Sequence, residues 1–232
     1  MEIDVSRVKE SQPLARSKYR FPDAASASKR GLVGMGADFA PETIVAAYRG
    51  GIFPWPHPGE ELLWFSPDPR AIIPIGGLHV SRRLARTLRQ ERLRVTVDAA
   101  FREVIRCCAD RAEGTWITDG YRRGYERLHE LGWAHSFEVW SADGQLAGGL
   151  YGLRVDGMFG AESMFYRERD ASKVAMVAMM RWAEREGISL VDVQVRTDHT
   201  ARMGAIEIRR LTYLRRLAAV VGPAQRAASP RR

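Results

Sequence analysis

Two short pieces of the chain set polar side chains inside apolar runs: GAESMF (Gly160 to Phe165) and LVDVQV (Leu190 to Val195). An unpaired polar group in such surroundings costs about 1 to 3 kcal/mol, so Glu162, Asp192 and Gln194 each need a partner or a task. Period two puts Val191, Val193 and Val195 on one face of the second run, and Leu190, Asp192, Gln194 and Arg196 on the other. Asp192 and Gln194 are then neighbours, and the carboxylate is expected to accept from the Gln194 side-chain amide and orient it. An oriented amide can hold an incoming amine or stabilise a developing oxyanion. Glu162, from the adjoining strand, adds a second carboxylate able to bind an ammonium group. The set suits acyl transfer to an amine. A half-exposed strand whose polar face meets water is the simpler alternative, although a strand returning from a buried crossover helix is normally covered on both sides.

The elements that must position these residues are legible by period. FEVW and QLAGGLYG flank SADG, and LYGLRV and MFGAESMF flank Asp156-Gly157, which predicts three successive antiparallel strands. Residues 171–186 read as a helix with Asp170 at its N-cap and Gly187 as its stop, apolar almost all round and therefore buried. Leu190 to Arg196 then returns as a strand parallel to its predecessor.

Upstream, residues 1–30 are polar and mixed and are expected to form a loosely held arm. APETIVAAYRGG predicts a short helix with Pro41 in its first turn. The segment IFPWPHPGEELLWFSPDPR reads as a stiff loop presenting aromatic faces, Trp55 and Trp64 among them, that either pack or stack a base. AIIPI is a short strand. HVSRRLARTLRQERLR is a basic amphipathic helix capped by Ser81, with Arg82, Arg86 and Arg89 on one face and a single Glu91 against them. The charge makes it either a solvated surface or a phosphate contact. Asp98 is expected to begin a helix through AAFREVIRCCADR, and DGYRRGYERLHELG a further one ending at Gly132. The tail, 222–232, is basic and reads as disordered.

Lys plus Arg number 36 against 28 Asp plus Glu, a net charge of +8 that favours a polyanionic partner; an arginine-rich background explains it equally well. With 45% hydrophobic residues and no apolar run near the ~20 residues of a membrane span, a soluble cytoplasmic protein is expected. The adjacent Cys107 and Cys108 are expected to be reduced and near the core. There is no GxxxxGK loop, no GxGxxG after a strand, no HExxH and no Cys/His cluster spaced for zinc, so neither metal nor nucleotide cofactor is indicated.

Taken together, GLVGMGADFAPETIVAAYRGGIFPW, WFSPDPRAIIP, HVSRRL, GTWIT, YERLHELGWAHSFEVW, GGLYG, ESMFYRERDASKVA and LVDVQVRTDHTARMGA resemble the leucyl/phenylalanyl-tRNA–protein transferase family, in order, over residues 31 to 216. The resemblance implies an enzyme that moves leucine or phenylalanine from aminoacyl-tRNA to the N-terminal Arg or Lys of a protein, marking it for degradation by the bacterial N-end rule. It needs no cofactor, because the ester carries the driving force. It implies an α+β fold: a GNAT-like acyltransferase domain, with a mixed, mostly antiparallel sheet and flanking helices (69–221), behind a small N-terminal domain (31–68). The phosphate-binding QxxGxG of acetyltransferases is replaced by YRERDAS, which argues against an N-acetyltransferase, one of two alternatives. The other is a non-catalytic tRNA-binding module.

Position by position, the resemblance implies catalytic roles for Asp192, Gln194 and Glu162. It implies Trp55 and Trp116 as the receivers of the tRNA's terminal adenosine, and Phe159, Met164 and Val191, joined by Leu150 and Met179, as the aminoacyl side-chain pocket. Arg82, Arg83, Arg86 and Arg89 would grip the acceptor stem through its phosphates. A monomer is expected. The chain departs from the family pattern at Leu150, Ala161, Tyr166, Asp170 and Met179, mostly around the pocket, so the choice among Leu, Phe and Met stays open.

Overall fold

The computed structural model describes residues 2–90, 92–112 and 114–222, and its centre is the three-stranded meander expected from the two turns. In chain order, β1 (Ile3–Asp4) and β2 (Leu32–Met35) precede α1 (Pro41–Arg49). Next come β3 (Phe53–Pro54), β4 (Leu63–Phe65), β5 (Arg70–Ile73) and α2 (Arg82–Arg89), then β6 (Arg94–Val97), α3 (Phe101–Ala109) and α4 (Asp119–Glu130). The meander is β7 (Ala134–Trp140), β8 (Leu146–Val155) and β9 (Met158–Tyr166). It is followed by α5 (Ala171–Arg185), β10 (Leu190–Gln194), α6 (Asp198–Arg202), β11 (Ile206–Ile208) and α7 (Arg210–Val220).

Eight strands form one sheet in the order β1-β6-β7-β8-β9-β10-β5-β11. As expected, β10 returns parallel to β9; β1 is parallel to β6, and the remaining pairs are antiparallel. The turn at Asp156-Gly157 has Asp156 at a φ of 50°, the left-handed conformation that two-residue hairpins demand. α5 covers one face with eleven buried residues spread round its axis, which is why its sequence shows no polar stripe. The opposite face meets α1, α3, α4 and α7, with a separate three-stranded sheet, β2-β4-β3, beyond them. The fold is α+β with a mostly antiparallel main sheet. Among the described residues no helix is long and apolar enough to cross a membrane.

Four expectations change. Residues 3–4, from the stretch read as a loose arm, extend the main sheet, and Ile3 is buried. The rest of that stretch is tied down by Ser11 donating to the Gly132 carbonyl, the Trp133 indole donating to Gln12, and Phe21 set edge-on to Trp64. Isolated anchors of this kind leave no periodic trace in a sequence. The proline-rich segment is not all loop, because Phe53–Pro54 and Leu63–Phe65 pair. Asp98 does not start α3; it sits at a φ of 62°, and its carboxylate accepts from His135 and from the backbone N–H of Ser136, while Ala100 precedes the helix. Asp170 does precede α5, but in the left-handed conformation and without a capping bond. Ser81 caps α2 as expected, and both cysteines are free and buried. The basic tail expected over 222–232 lies outside the described residues from 223 onward.

Candidate active site

Each of the two interrupted apolar runs contains a β-bulge at its polar residues. Between β8 and β9 the register passes from Tyr151↔Ser163 to Gly152↔Ala161, which leaves Glu162 as the extra residue. Between β10 and β5 it shifts between Asp192 and Gln194, and Gln194 has a φ of 56°. A bulge breaks the two-residue period and re-aims a side chain. The alternation read from the sequence therefore holds only as far as Val193. Because Asp192 pairs with Gly160 across the parallel strands, Gln194 and Glu162 each stand two residues beyond that pair, on neighbouring strands. The structure thus brings Asp192, Gln194 and Glu162 together.

Asp192 does not orient the Gln194 side chain as expected. Its Oδ1 accepts from the Gln194 backbone N–H at 2.9 Å and from Arg70 Nε at 2.9 Å. Its Oδ2 accepts from Arg70 Nη2 at 2.6 Å and from the Tyr213 hydroxyl at 2.8 Å. Asp192 is 0% exposed. Arg70 also donates to the Gly51 carbonyl, and its guanidinium lies over the rings of Phe53 and Tyr213, at 4.7 and 4.5 Å. Burial opposes its charge, but the Asp192 carboxylate together with Tyr213 and Tyr48 more than offsets burial and holds Arg70 protonated above its ordinary range. Gly51, at a φ of 77°, must lack a side chain: a Cβ there would come within 2.4 Å of Leu214 on α7. The side-chain nitrogen of Gln194 is buried and has no hydrogen-bond partner among the described residues.

Glu162, partly buried, accepts from the hydroxyls of Tyr48 and Tyr121, and Tyr48 is linked in turn to the Tyr125 hydroxyl at 3.0 Å. Burial pushes its carboxyl up to about 8; the Tyr48 hydrogen bond works against this, and the Asp192 charge adds to it. Burial raises Tyr48, Tyr121 and Tyr125 well above the ordinary phenol range, with the Glu162 charge next in effect, so all three remain proton donors. Arg70, Tyr213 and these tyrosines escape a reading by motif. Arg70 is one charged residue at the start of the short apolar strand β5, Tyr48 lies on the buried side of α1, and Tyr213 arrives from the far end of the chain.

The two tryptophans flank this cluster. Trp55, 36% exposed, meets Phe53, whose ring lies under Arg70, and it is braced by His57 and Phe65. Trp116 stands edge-on to Tyr121 at 5.0 Å, one hydrogen bond from Glu162. Arg82, Arg83, Arg86 and Arg89 are all exposed on α2. Among the described residues only Arg83 of the four forms an ion pair, with Asp170, which also binds Lys173. Leu150, Phe159, Met179 and Val191 are 0% exposed and pack on the opposite face of the sheet, under α5, with Met164 at their partly exposed edge. They form continuous core beneath the polar cluster. Among the described residues no three His, Cys, Asp or Glu side chains gather as a metal site requires.

Residues 72–218 match the family model described as leucyl/phenylalanyl-tRNA protein transferase, and residues 37–68 match the model of its N-terminal domain. The leucyl/phenylalanyl-tRNA–protein transferase of Anaeromyxobacter sp. (strain Fw109-5) is 50% identical over 201 residues, covering 85% of each chain. That of Escherichia coli O81 (strain ED1a) is 47% identical over 204 residues, covering 87% of each. A solved structure, that of L-PGS from Bacillus licheniformis, overlaps with a TM-score of 0.39 at 12% identity, over 61% of this chain and 46% of that one, which is too little to carry a fold argument. With 85% of the chain matched at about half identity, and Glu162, Asp192 and Gln194 inside the matched residues 72–218, the protein belongs to the leucyl/phenylalanyl-tRNA–protein transferase family.

Proposed function

We propose that the protein transfers leucine or phenylalanine, with methionine a further candidate donor, from aminoacyl-tRNA to the N-terminal Arg or Lys of acceptor proteins. The acceptor's α-amine attacks the ester carbonyl carbon. A C–N bond forms, the bond to the ribose oxygen breaks, the amine loses a proton and the departing tRNA hydroxyl gains one. Gln194 supplies an amide N–H to the carbonyl oxygen as negative charge develops there. Glu162 meets the amine: its proton affinity near 8 lies close to that of an α-amine, as proton exchange between the two requires. Asp192 acts by holding its surroundings in place. No cofactor enters, because the ester is already activated.

Trp55 and Trp116 stack the terminal adenosine on either side of the cluster, and the arginines of α2 hold the acceptor-stem phosphates. Exposure of Trp55 and of all four arginines supports this. Leu150, Phe159, Met164, Met179 and Val191 surround the donor side chain, which requires the packed face under α5 to part beside Met164. We take residues 31–68 as a small domain seated on a GNAT-like domain, 69–221. The separate β2-β4-β3 sheet and the order of three antiparallel strands, crossover helix and parallel strand support that division. The enzyme acts in the cytoplasm, where aminoacyl-tRNA is made, as a monomer.

The observation that carries the reading is the buried, unpartnered amide of Gln194 beside a carboxyl group of raised proton affinity. The runner-up, an N-acetyltransferase, is disfavoured by Asp170, whose carboxylate stands before the first turn of α5 where a cofactor pyrophosphate would bind. Incubation with radiolabelled leucyl- or phenylalanyl-tRNA and a protein bearing N-terminal Arg should label the acceptor. Labelled tRNA that binds without reacting would favour the binding module instead, and acetylation of the same acceptor from acetyl-coenzyme A would favour the acetyltransferase.

A further inference from the structure

We infer that Arg70 and Tyr213 are positioning residues of the transfer step, acting through Asp192 to hold the Gln194 amide in place. The inference rests on the transferase reading above. A carboxylate offers about four acceptor sites, and here all four are taken: two by Arg70, one by Tyr213, one by the backbone N–H of Gln194. Asp192 therefore has no site left for a substrate amine, and its burial denies it water. Its geometry serves the next residue but one.

Gln194 is held in the left-handed conformation, which is unfavourable for a residue with a Cβ and persists only where the surroundings impose it. Two bonds are seen doing so: Gln194 N–H to Asp192, and Val195 N–H to the Val193 carbonyl at 2.6 Å. The first can be no firmer than Asp192 itself, which is gripped by a planar fork from β5 and a hydroxyl from α7. Arg70 in turn is sandwiched by Phe53 and Tyr213 and anchored on Gly51, so the clamp draws on three separate parts of the chain. An ion pair this deeply buried gives little net stability over a well-packed apolar replacement. Stability alone does not account for Arg, Asp and Tyr meeting behind a buried side-chain amide that, among the described residues, lacks a partner; orientation does.

A double-mutant cycle under single-turnover conditions, which follow slow variants, tests this. Tyr213→Phe removes one donor with almost no change of shape. It should lower the rate constant for transfer from leucyl-tRNA by about tenfold or more while leaving the leucyl-tRNA dissociation constant within about twofold, the signature of lost alignment rather than lost binding. In a Gln194→Ala background the same substitution should change the rate by less than about twofold, because the group it positions is gone. Arg70→Lys, which keeps the charge but loses the fork, is read in the same way and stands in should Tyr213→Phe not fold, as judged by its thermal transition. Equal losses in both backgrounds, or a folded Tyr213→Phe protein with an unchanged rate, overturn the inference while the transferase reading stands. A wild-type protein that transfers nothing overturns both.

Discussion

Replacing Glu162 by Gln should abolish a pH dependence of stability that the fold builds in. The folded-state carboxyl titrates near 8, against 4.5 for an unperturbed glutamate. Below 4.5 both the folded and the unfolded state carry the proton, and above 8 neither does. In between, the folded state keeps the proton that the unfolded state has released, so stability falls as pH rises. The limiting slope is about 1.4 kcal/mol per pH unit, and the partial exposure of Glu162 narrows the window over which it acts. For a chain of this length 1 kcal/mol corresponds to roughly 2 to 4 °C, so the melting temperature should drop by at most a few degrees per unit across the window. Gln mimics the protonated acid and still accepts from Tyr48. Burial raises Glu138 as well, and lowers His129 and His199, so other groups bend the absolute curve. The difference between wild type and Glu162→Gln isolates one carboxyl. Thermal unfolding of both proteins at half-unit steps from pH 4.5 to 8.5 should give melting curves that cross or converge on the acid side and separate on the alkaline side, the variant being the more stable. Parallel curves across the whole range would refute the assignment of a raised proton affinity to Glu162.

Three further outcomes follow from the same geometry. Arg70→Met leaves Asp192 a buried charge without its partner and should reduce unfolding free energy by about 3 to 5 kcal/mol in a denaturant titration, and adding Asp192→Leu should recover a good part of it. Arg82→Gln with Arg86→Gln should leave the melting temperature unchanged, since both side chains are exposed. The slope of log K for aminoacyl-tRNA against log salt should become shallower by about 1.5, the share of two phosphate contacts. Trp55→Ala should weaken binding of aminoacyl-tRNA by about 1 to 3 kcal/mol in a filter-binding assay, as loss of one stacked base would, with little effect on folding because the ring is already partly exposed.

What was legible in the sequence was whatever repeats or terminates regularly. The Asp-Gly turn gave the meander its register, and the all-round apolar pattern of 171–185 placed that helix inside. Asp192, Gln194 and Glu162 stood out because they broke such patterns. What was not legible is the reason they break them. A bulge is a local insertion in a pairing between strands far apart in sequence, so nothing near Glu162 or Gln194 announces it. Arg70 lies 122 residues before Asp192, and Tyr213 reaches it from a helix that follows the family's last recognisable motif. The first thirty residues failed in the opposite sense, since polar composition hid single anchors such as Ile3 and Phe21.

The arrangement also explains why the family's N-terminal part cannot be spare. The main sheet offers Asp192 and Glu162 on one face and supplies Arg70 and Gln194 to the first, but the support of Arg70 and the partners of Glu162 come from outside it. Glu162 depends on Tyr48 from α1 and Tyr121 from α4, while Asp192 depends on Arg70, which is seated on Phe53 and Gly51. Trp55 follows Phe53 by two residues, so the ring proposed to stack adenosine comes directly after the strand that seats the arginine. A shift of that strand caused by tRNA binding would be felt at Arg70 and, through Asp192, at Gln194. Phe53 touches both Trp55 and Arg70, so, with Trp55 stacking the donor as proposed, Phe53→Ala should change both the aminoacyl-tRNA dissociation constant and the single-turnover rate constant, whereas Tyr213→Phe, which touches only the Asp192 side, should change the rate alone.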